Sequence, residues 1–409
     1  MSRFSLNFLL SRRVLKDKGN RLSRPIVHLS VGGVSLGLFV MMMAIGVTSG
    51  YKQEIRNKVV AMGSHIRITH YDQNYSYEQV PVNRHSECLL RLRENPEVLQ
   101  VQNFATKVGI IKTADQVEGV VLKGVDSTFS WDFFQKNIIQ GRGVRTDNPS
   151  PSNEIVISKR MSDKLRLRVG DKVNTYFVQD PPRQRGFRVS GIYETGLPEY
   201  DNMFALVDLR HIRKLNDWND SLVSGVEVLT RDYDKIDGTG DYIHHHIDYD
   251  LKAETIKQIY PEIFEWIALF DTNVAVLLII TTCVCLVTMM SIFFIIVLEQ
   301  TRTIGILKSL GMKTRQVVGT FLLVAGDILL RGMLIGDALA VGLGALQQKL
   351  HLVKLNPDTY YVNFVPVHFD WAQALMLNAG VFVVCMAVLL VPAWVVARKI
   401  SPVNAVRFE

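Results

Sequence analysis

The chain has 409 residues, enough for more than one domain, and 21% of them are charged although the mean hydropathy is positive. This combination excludes a protein that is wholly soluble or wholly embedded in a membrane. The net charge of +7 is compatible with a nucleic acid partner, but much of the excess lies within residues 1–25. A basic flank before an apolar run marks the cytoplasmic side of a membrane helix, so no nucleic acid partner is predicted.

Residues 1–25 mix basic and apolar side chains, which predicts an amphipathic elbow on the cytoplasmic surface of the membrane. Residues 26–50 form the first predicted transmembrane helix, and their apolar run is too long for the core of a cleaved signal peptide. Three of the four cysteines lie in apolar segments, and only Cys88 does not. No disulfide is therefore expected in the water-facing part of the chain.

Residues 51–267 contain no apolar run long enough to cross a membrane, and they alternate between strand and helix patterns. They predict one α+β domain, which lies outside the cytoplasm because a helix with a basic N-terminal flank precedes it. The expected elements include the strand Glu154–Ser158 and the helices Lys159–Leu165 and Leu209–Leu215. The run His244–His246 has no accompanying ligand pattern, and we interpret it as a solvated loop rather than a metal site.

The fold class that follows is a membrane protein with four transmembrane α-helices and a large α+β extracytoplasmic domain inserted between the first and second. The later elements are, in order, a second helix at 268–298, a cytoplasmic connecting helix at 299–316, a third helix at 317–347, a periplasmic loop at 348–370, a fourth helix at 371–397 and a cytoplasmic tail at 398–409. Pro392 is expected to kink or end the fourth helix. Both chain termini are predicted to be cytoplasmic.

The third predicted span carries three charged residues, which are costly at the centre of a bilayer. Asp327 and Arg331 are four residues apart with the acid first, the favourable order for a pair on one helix face. We expect them to neutralise each other toward the bundle interior, with a dimer contact or an ion path as the alternatives. Asp337 lies on another face, and the sequence identifies no partner for it.

The connecting helix between the second and third spans has apolar residues at Ile304, Leu307 and Leu310, spaced by three, and Gly311 at its expected end. Its basic residues place it in the cytoplasm. The apolar stripe has nothing in its own short loop to bury against. We interpret the segment as a docking peg for a soluble partner, with a helix lying on the lipid headgroups as the alternative.

The run Glu299-x-x-Arg302-x-Ile304-Gly305-Ile306-Leu307-Lys308-x-Leu310-Gly311 resembles the coupling segment of the FtsX/MacB/LolC–LolE superfamily of ABC-transporter permeases. The outer loop Leu355–Val367 and the closing sequence Pro392–Glu409 are similar to those of the LolC/LolE branch. The resemblance implies that the coupling segment inserts into a separate, LolD-like ATPase subunit. That partner would bind ATP and Mg, because this chain has no phosphate-binding loop and no cofactor of its own is expected.

The resemblance also implies a permease of the bacterial inner membrane that works with a second copy or a paralogue. It would extract lipoprotein cargo from the lipid and pass it to a periplasmic carrier. The acyl chains would lie between the first and second helices, and the residues assigned to this path are Val40, Met43, Leu277 and Ile280. Carrier contact is assigned to the short connection that contains Pro181, Pro182, Arg183 and Arg185.

No nucleophile motif or other catalytic pattern occurs in the sequence, so the chain is not expected to be an enzyme. Two alternatives stay open within the same superfamily. One is an FtsX-like transmitter that activates a periplasmic cell-wall hydrolase without transporting anything. The other is a MacB-like efflux component, which the absence of a fused ATPase domain disfavours.

Overall fold

The computed structural model describes residues 23–71 and 77–399, so the predicted elbow and the predicted tail lie almost entirely outside the described residues. The described chain divides into two compact units. The helical unit runs to Lys52 and continues with Trp266–Lys354 and the chain from Phe364 onward. The α/β unit comprises Gln53–Glu265 and Leu355–Asn363.

The described helices differ widely in length, from one turn to more than ten turns. In chain order they are α1 (Ser23–Gly63), α2 (Glu87–Arg91), α3 (Asp132–Asn137), α4 (Lys159–Leu165), α5 (Pro198–Met203), α6 (Leu209–Leu215), α7 (Ile236–His246), α8 (Ile256–Ile259), α9 (Pro261–Glu299), α10 (Thr301–Ser309), α11 (Thr314–Leu350), α12 (Pro357–Tyr360) and α13 (Trp371–Lys399), with a 3-10 turn at Leu92–Glu94. Among them, α1, α9, α11 and α13 are long and apolar enough to cross a membrane.

Helix α11 packs closely against α1 through glycines. A Cβ atom added at Gly336 would lie 2.6 Å from the carbonyl oxygen of Ser35, and one added at Gly332 would lie 2.7 Å from Cβ of Val34. Small residues at such contacts let two helix backbones approach each other. The helix α13 continues through Pro392 to Lys399, so of the two expectations, a kink or an end at the proline, the second is wrong. Neighbouring helices commonly compensate for the lost backbone hydrogen bond in such spans.

In the part of the chain that the structure describes, the α/β unit has twelve strands, ten of which form one mixed sheet. In chain order they are β1 (Ile66–His70), β2 (Val82–Asn83), β3 (Val98–Lys112), β4 (Val117–Val125), β5 (Ile138–Gly141), β6 (Glu154–Ser158), β7 (Lys172–Phe177), β8 (Arg183–Tyr193), β9 (Phe204–Asp208), β10 (Leu222–Val223), β11 (Gly225–Thr230) and β12 (Leu251–Thr255).

The large sheet has the strand order β12-β1-β11-β3-β4-β9-β6-β8-β5, and β7 pairs with both β3 and β8. Most neighbours are antiparallel, whereas β4 with β9 and β6 with β8 are parallel. Strand β7 alternates exposed and buried residues along its length, which is the pattern of a strand with one solvated face. Its buried side chains, such as Val173 and Phe177, join the apolar core of the unit.

Several predicted elements are confirmed with their predicted bounds: the strand Glu154–Ser158 and the helices Lys159–Leu165 and Leu209–Leu215. The run His244–His246 is not a loop but the last turn of α7. Ring nitrogens of His245 and His246 lie 2.7 and 2.8 Å from the carbonyl oxygens four residues earlier. No cluster of His, Cys, Asp and Glu suited to a metal ion occurs among residues 23–71 and 77–399.

Candidate functional site

The connecting segment between α9 and α11 forms the two-turn helix α10, which ends in a Schellman motif. The amide of Met312 donates to the carbonyl of Leu307, and the amide of Gly311 donates to that of Lys308, each at 3.0 Å. This motif needs a left-handed residue just past the helix, and Gly311 has φ of +93°. The glycine therefore ends α10, as the sequence predicts, and the chain turns directly into α11.

One side of α10 is fixed to the helical unit. Ile304 is only 1% exposed and belongs to the apolar core formed by the membrane helices. Lys308 donates a hydrogen bond from Nζ to the carbonyl oxygen of Ala397 in α13, and burial lowers the pKa of its ammonium group. The predicted docking stripe is therefore not wholly available to a partner, because the bundle itself covers Ile304.

The other side of α10 is open. Arg302, Ile306 and Leu310 are exposed, with Leu310 at 79%, and their spacing of four places them along one face of the helix. Glu299, Leu307 and Lys308 are half-buried at the border of this face. Ile306 was not singled out from the sequence, although its spacing to Arg302 and Leu310 carried the signal. We call Arg302, Ile306 and Leu310 the outward face of α10.

The charged residues of α11 form the predicted pair, but on a different side from the one expected. Nη2 of Arg331 lies 2.7 Å from Oδ2 of Asp327. The two side chains are 58% and 40% exposed, so the pair lies on the surface of the single chain rather than in the bundle interior. The structure also supplies the partner that the sequence did not identify for Asp337, whose Oδ1 accepts a hydrogen bond from Nδ2 of Asn378 at 3.4 Å.

The residues assigned to the cargo path lie on α1 and α9. Val40, Leu277 and Ile280 are exposed on the surface of these helices, and Met43 is partly buried against the apolar core. On the same two helices, Nζ of Lys52 lies 2.7 Å from Oδ2 of Asp271. The structure contains apolar helix surface at the three exposed positions, and that is the kind of surface acyl chains can contact.

The connection between β7 and β8 is short, with five residues from Val178 to Pro182. Pro181 and Pro182 are exposed, and Arg185 is half-buried. Arg183 is held within the chain, because its two terminal nitrogens lie 3.0 and 2.6 Å from the carboxylate oxygens of Asp217. The exposed residues of this connection include the charged Asp180 as well as the two prolines, and the arginine at its base has a structural partner.

A buried ionic network lies where α1 ends in the α/β unit. Nζ of Lys123 is 2.7 Å from Oε1 of Glu227, and the two side chains are 4% and 1% exposed. The same ammonium group donates to the carbonyl of Met62 at 2.8 Å, and Gln102 donates to the carboxylate of Glu227 at 2.8 Å. Buried charges of this kind need such partners. The sequence signal was a charged residue among apolar neighbours in each of two strands, Lys123 in β4 and Glu227 in β11.

These features together define a class. Among residues 23–71 and 77–399, the structure has four apolar helices, a large α/β unit inserted after the first, and a connecting helix with one anchored and one open side, which are features of a membrane permease component of an ABC transporter. A chain of this class is a multi-pass membrane protein, and the class implies an ATPase partner.

Comparison with known proteins agrees with this class. A family model described as a MacB-like periplasmic core domain matches residues 28–245, and one described as an FtsX-like permease C-terminal region matches residues 275–400. The chain thus belongs to the family of permeases that carry a MacB-like periplasmic core domain. The resemblance found in the sequence to FtsX/MacB/LolC–LolE permeases is confirmed.

Among its relatives, the chain is 21% identical over 399 residues to the lipoprotein-releasing system transmembrane protein LolC of Xylella fastidiosa (strain Temecula1 / ATCC 700964), with 93% of each chain covered. It is 20% identical over 414 residues to LolE of Haemophilus influenzae, with 94% and 95% covered. The solved periplasmic region of MacB from Actinobacillus actinomycetemcomitans aligns with 52% of this chain and 97% of its own, at 14% identity and a TM-score of 0.36.

Proposed function

We propose that this chain is the transmembrane subunit of an ABC transporter that extracts lipoproteins from the bacterial inner membrane and passes them to a periplasmic carrier. Similarity to LolC and LolE proteins over more than nine-tenths of the chain supports the substrate class. The observation that carries the mechanism is the two-sided helix α10, which is anchored in the bundle through Ile304 and open along its outward face.

In this proposal a separate, LolD-like ATPase binds ATP and Mg and receives the outward face of α10. An apolar face with one arginine suits a groove in a soluble partner, since burying Ile306 and Leu310 removes apolar surface from water. Because Ile304 and Lys308 tie the opposite side of the helix to the bundle, a push on α10 moves the membrane helices with it. The segment predicted from the sequence, from Glu299 to Gly311, keeps this role.

A second copy of the chain, or a paralogue, completes the assembly. The exposed Asp327–Arg331 pair supports this part of the proposal, because an ion pair facing hydrocarbon is costly and a neighbouring subunit can cover it. The acyl chains of the cargo would run along the exposed residues Val40, Leu277 and Ile280, beside Met43. Removing an acyl chain from the membrane costs about 0.8 kcal/mol of free energy for each buried methylene group. Coupling to ATP hydrolysis would supply this free energy.

The carrier would contact the connection between β7 and β8 through Pro181, Pro182 and Arg185. Arg183 is expected to hold the base of this connection through Asp217 rather than to contact the carrier itself. Both chain termini and α10 would be cytoplasmic, and the α/β unit periplasmic, as the distribution of basic residues favours.

The central test uses the outward face of α10. Ile306→Asp and Leu310→Asp are expected to reduce co-purification of the ATPase by roughly tenfold, because each places a carboxylate in an apolar contact. Ile306→Val and Leu310→Met are the matched controls and should retain the ATPase. Unchanged ATPase recovery with both Asp variants would overturn the proposed contact.

Cargo contact is tested with a photo-crosslinker at Val40 or Leu277 in the assembled complex, with a labelled triacylated lipoprotein as the probe. The same crosslinker at Leu375, an exposed apolar position on α13, is the control for random lipid-phase contact. Labelling at Val40 and Leu277 but not at Leu375 supports the cargo path. Recovery of a cell-wall hydrolase instead, with no crosslinked lipoprotein, would favour the FtsX-like transmitter.

A further inference from the structure

The outer loop between α11 and α13 contains a segment that belongs to the α/β unit. Residues Leu355–Asn363 cluster with that unit, whereas the chain on either side belongs to the helical unit. The segment is closed at its base by backbone hydrogen bonding, since the amide of Leu355 donates to the carbonyl of Asn363 at 3.0 Å. We call Leu355–Asn363 the loop tip. It includes the one-turn helix α12, and its Val362 is buried.

The loop tip is held by a lysine on α1. Nζ of Lys58 donates a hydrogen bond to the carbonyl oxygen of Tyr361 at 2.9 Å. Lys58 is only 7% exposed, and burial lowers the pKa of its ammonium group while Glu54, Asp201 and Glu194 oppose that shift. A buried ammonium group requires hydrogen-bond acceptors, so the contact with Tyr361 is part of what makes this burial tolerable.

A glycine makes room for this contact. Gly196 has φ of +73°, and a Cβ atom built there would lie 2.9 Å from Nζ of Lys58 and 3.8 Å from the carbonyl oxygen of Tyr361. The turn that contains Gly196 is fixed by Asp201, whose Oδ2 accepts the amide of Gly196 at 3.1 Å and whose Oδ1 accepts the hydroxyl of Thr195 at 2.7 Å. Gly196 and Lys58 therefore form a shaped seat for the loop tip.

An ion pair adds a third point of attachment at the other side of the loop tip. Arg160 on α4 pairs with Asp358 on α12. Both side chains are partly exposed, so the pair contributes less than the buried contact and serves mainly to orient α12. The three attachments involve α1, α4 and the turn before α5, which are far apart in the sequence.

We propose that the loop tip is a brace that joins α11 and α13 to the α/β unit, with Lys58 and Gly196 as its positioning residues. The inference rests on the proposed transport function and identifies a route by which helix movement reaches the outer domain. Lys58 lies on the same continuous helix as the first span, so the brace also connects the loop between α11 and α13 to α1. A movement of the loop tip during transport would then be transmitted to three of the four long helices, α1, α11 and α13.

The brace is tested in the full complex with the variants Lys58→Met and Gly196→Ala. Hydrogen exchange of residues 355–363 should become at least about tenfold faster in both, because the seat is lost. Gly170→Ala is the matched control, since Gly170 also has a left-handed φ but a Cβ there meets no atom within 4 Å. The control should leave exchange in the loop tip unchanged. Unchanged exchange in both seat variants would overturn the seat.

The functional readout is the amount of a triacylated lipoprotein released per ATP hydrolysed. We expect this ratio to fall by about fivefold in the seat variants while ATP hydrolysis itself is retained, because the stroke is no longer passed on. Faster exchange with an unchanged ratio would overturn the brace. Exchange is measured without reference to transport, so a wild-type complex that releases no lipoprotein contradicts the proposed function and leaves the seat measurement intact.

Exchanging the charges of Arg160 and Asp358 tests whether this ion pair orients α12 or is needed only for the protein to fold. Arg160→Glu and Asp358→Arg should each lower the release ratio, and the double variant should restore it, since the pair is then rebuilt with opposite polarity. A double variant no better than either single variant would remove Arg160 and Asp358 from the brace.

Discussion

The two units of the chain differ in how they accommodate one ion pair each: the α/β unit buries it, and the helical unit leaves it partly exposed. In the α/β unit, Lys123 and Glu227 form a nearly completely buried ion pair between strands β4 and β11, which are about a hundred residues apart in the sequence. In the helical unit, Asp327 and Arg331 form a pair within a single helix turn, and both side chains remain partly exposed.

The difference reflects what each environment requires. A water-facing domain can bury an ion pair only if several elements meet around it, so the pair specifies how those elements assemble. Apolar helices already satisfy their own backbone groups, and they meet through small residues such as Gly336 instead. A buried ion pair thus helps to specify the tertiary structure of the α/β unit, whereas close packing of helix backbones does so in the helical unit.

The largest effect is expected from breaking the buried pair in the α/β unit. Lys123→Met leaves Glu227 buried without its ammonium partner and should lower the free energy of unfolding by about 3–5 kcal/mol. Chemical denaturation of the purified protein, followed by fluorescence of the domain tryptophans, measures the loss. Lys164→Met is the matched control, because Lys164 pairs with Glu118 at the same distance of 2.7 Å but at the surface. The control should lose at most about 1 kcal/mol.

The second prediction concerns the Asp327–Arg331 ion pair in the helical unit, which can be broken in the same way. Arg331→Leu leaves the charge of Asp327 uncompensated on an apolar helix, which costs about 2.5–3.5 kcal/mol on insertion scales. Yield of inserted protein and thermal stability in detergent should fall together. Exchanging the two residues, with Asp327→Arg and Arg331→Asp, retains the pair and should restore most of the loss. Equal behaviour of Arg331→Leu and the wild type would show that a neighbouring group compensates Asp327.

Close packing in the helical unit is tested at Gly336. A side chain there meets the backbone of Ser35 on α1, so Gly336→Val should destabilise the helix contact by about 1–3 kcal/mol. Gly342 on the same helix has no atom within 4 Å of an added Cβ, and Gly342→Val should be tolerated. Thermal unfolding in detergent compares the two variants. Similar melting temperatures would contradict the importance of this contact.

The effect that is smallest near neutral pH is a pH dependence confined to the α/β unit. Burial, reinforced by the charge of Arg56, lowers the pKa of His65 to about 4 from its ordinary value of 6.5. The unfolded chain therefore binds more protons between these two values, and stability should fall as the pH falls from 6.5 toward 4. His65→Asn keeps an acceptor for the amide of Thr230 and should remove this slope from unfolding curves measured across that range.

The sequence was sufficient for the elements whose burial follows a simple period. The apolar runs of the four long helices fall into this group, and so does the short helix Lys159–Leu165, which buries Met161, Ser162 and Leu165 on one face. The long strand β3 does not. It buries Gln102 and Asn103 beside apolar residues, and these side chains form hydrogen bonds that only the folded sheet supplies.

The candidate site was predictable in location but not in orientation. Spacing alone identified an amphipathic helix ending at Gly311, and the structure has that helix. Which side faces the bundle depends on neighbours such as Ala397 that lie far away in the sequence. The stripe at Ile304 was therefore assigned to a partner protein, when the bundle covers that residue and leaves Ile306 open.

Helix α1 runs through 41 residues from the first span into the α/β unit, with no proline after Pro25. Along its membrane part, the buried residues Val34, Leu38 and Met42 recur every four positions and so share one face. Inserting one residue between Val34 and Leu38 would turn the two later residues by about 100° relative to Val34, because consecutive residues of an α-helix differ by this angle. The length of this part of the helix is therefore constrained by its angular register as well as by the thickness of the membrane.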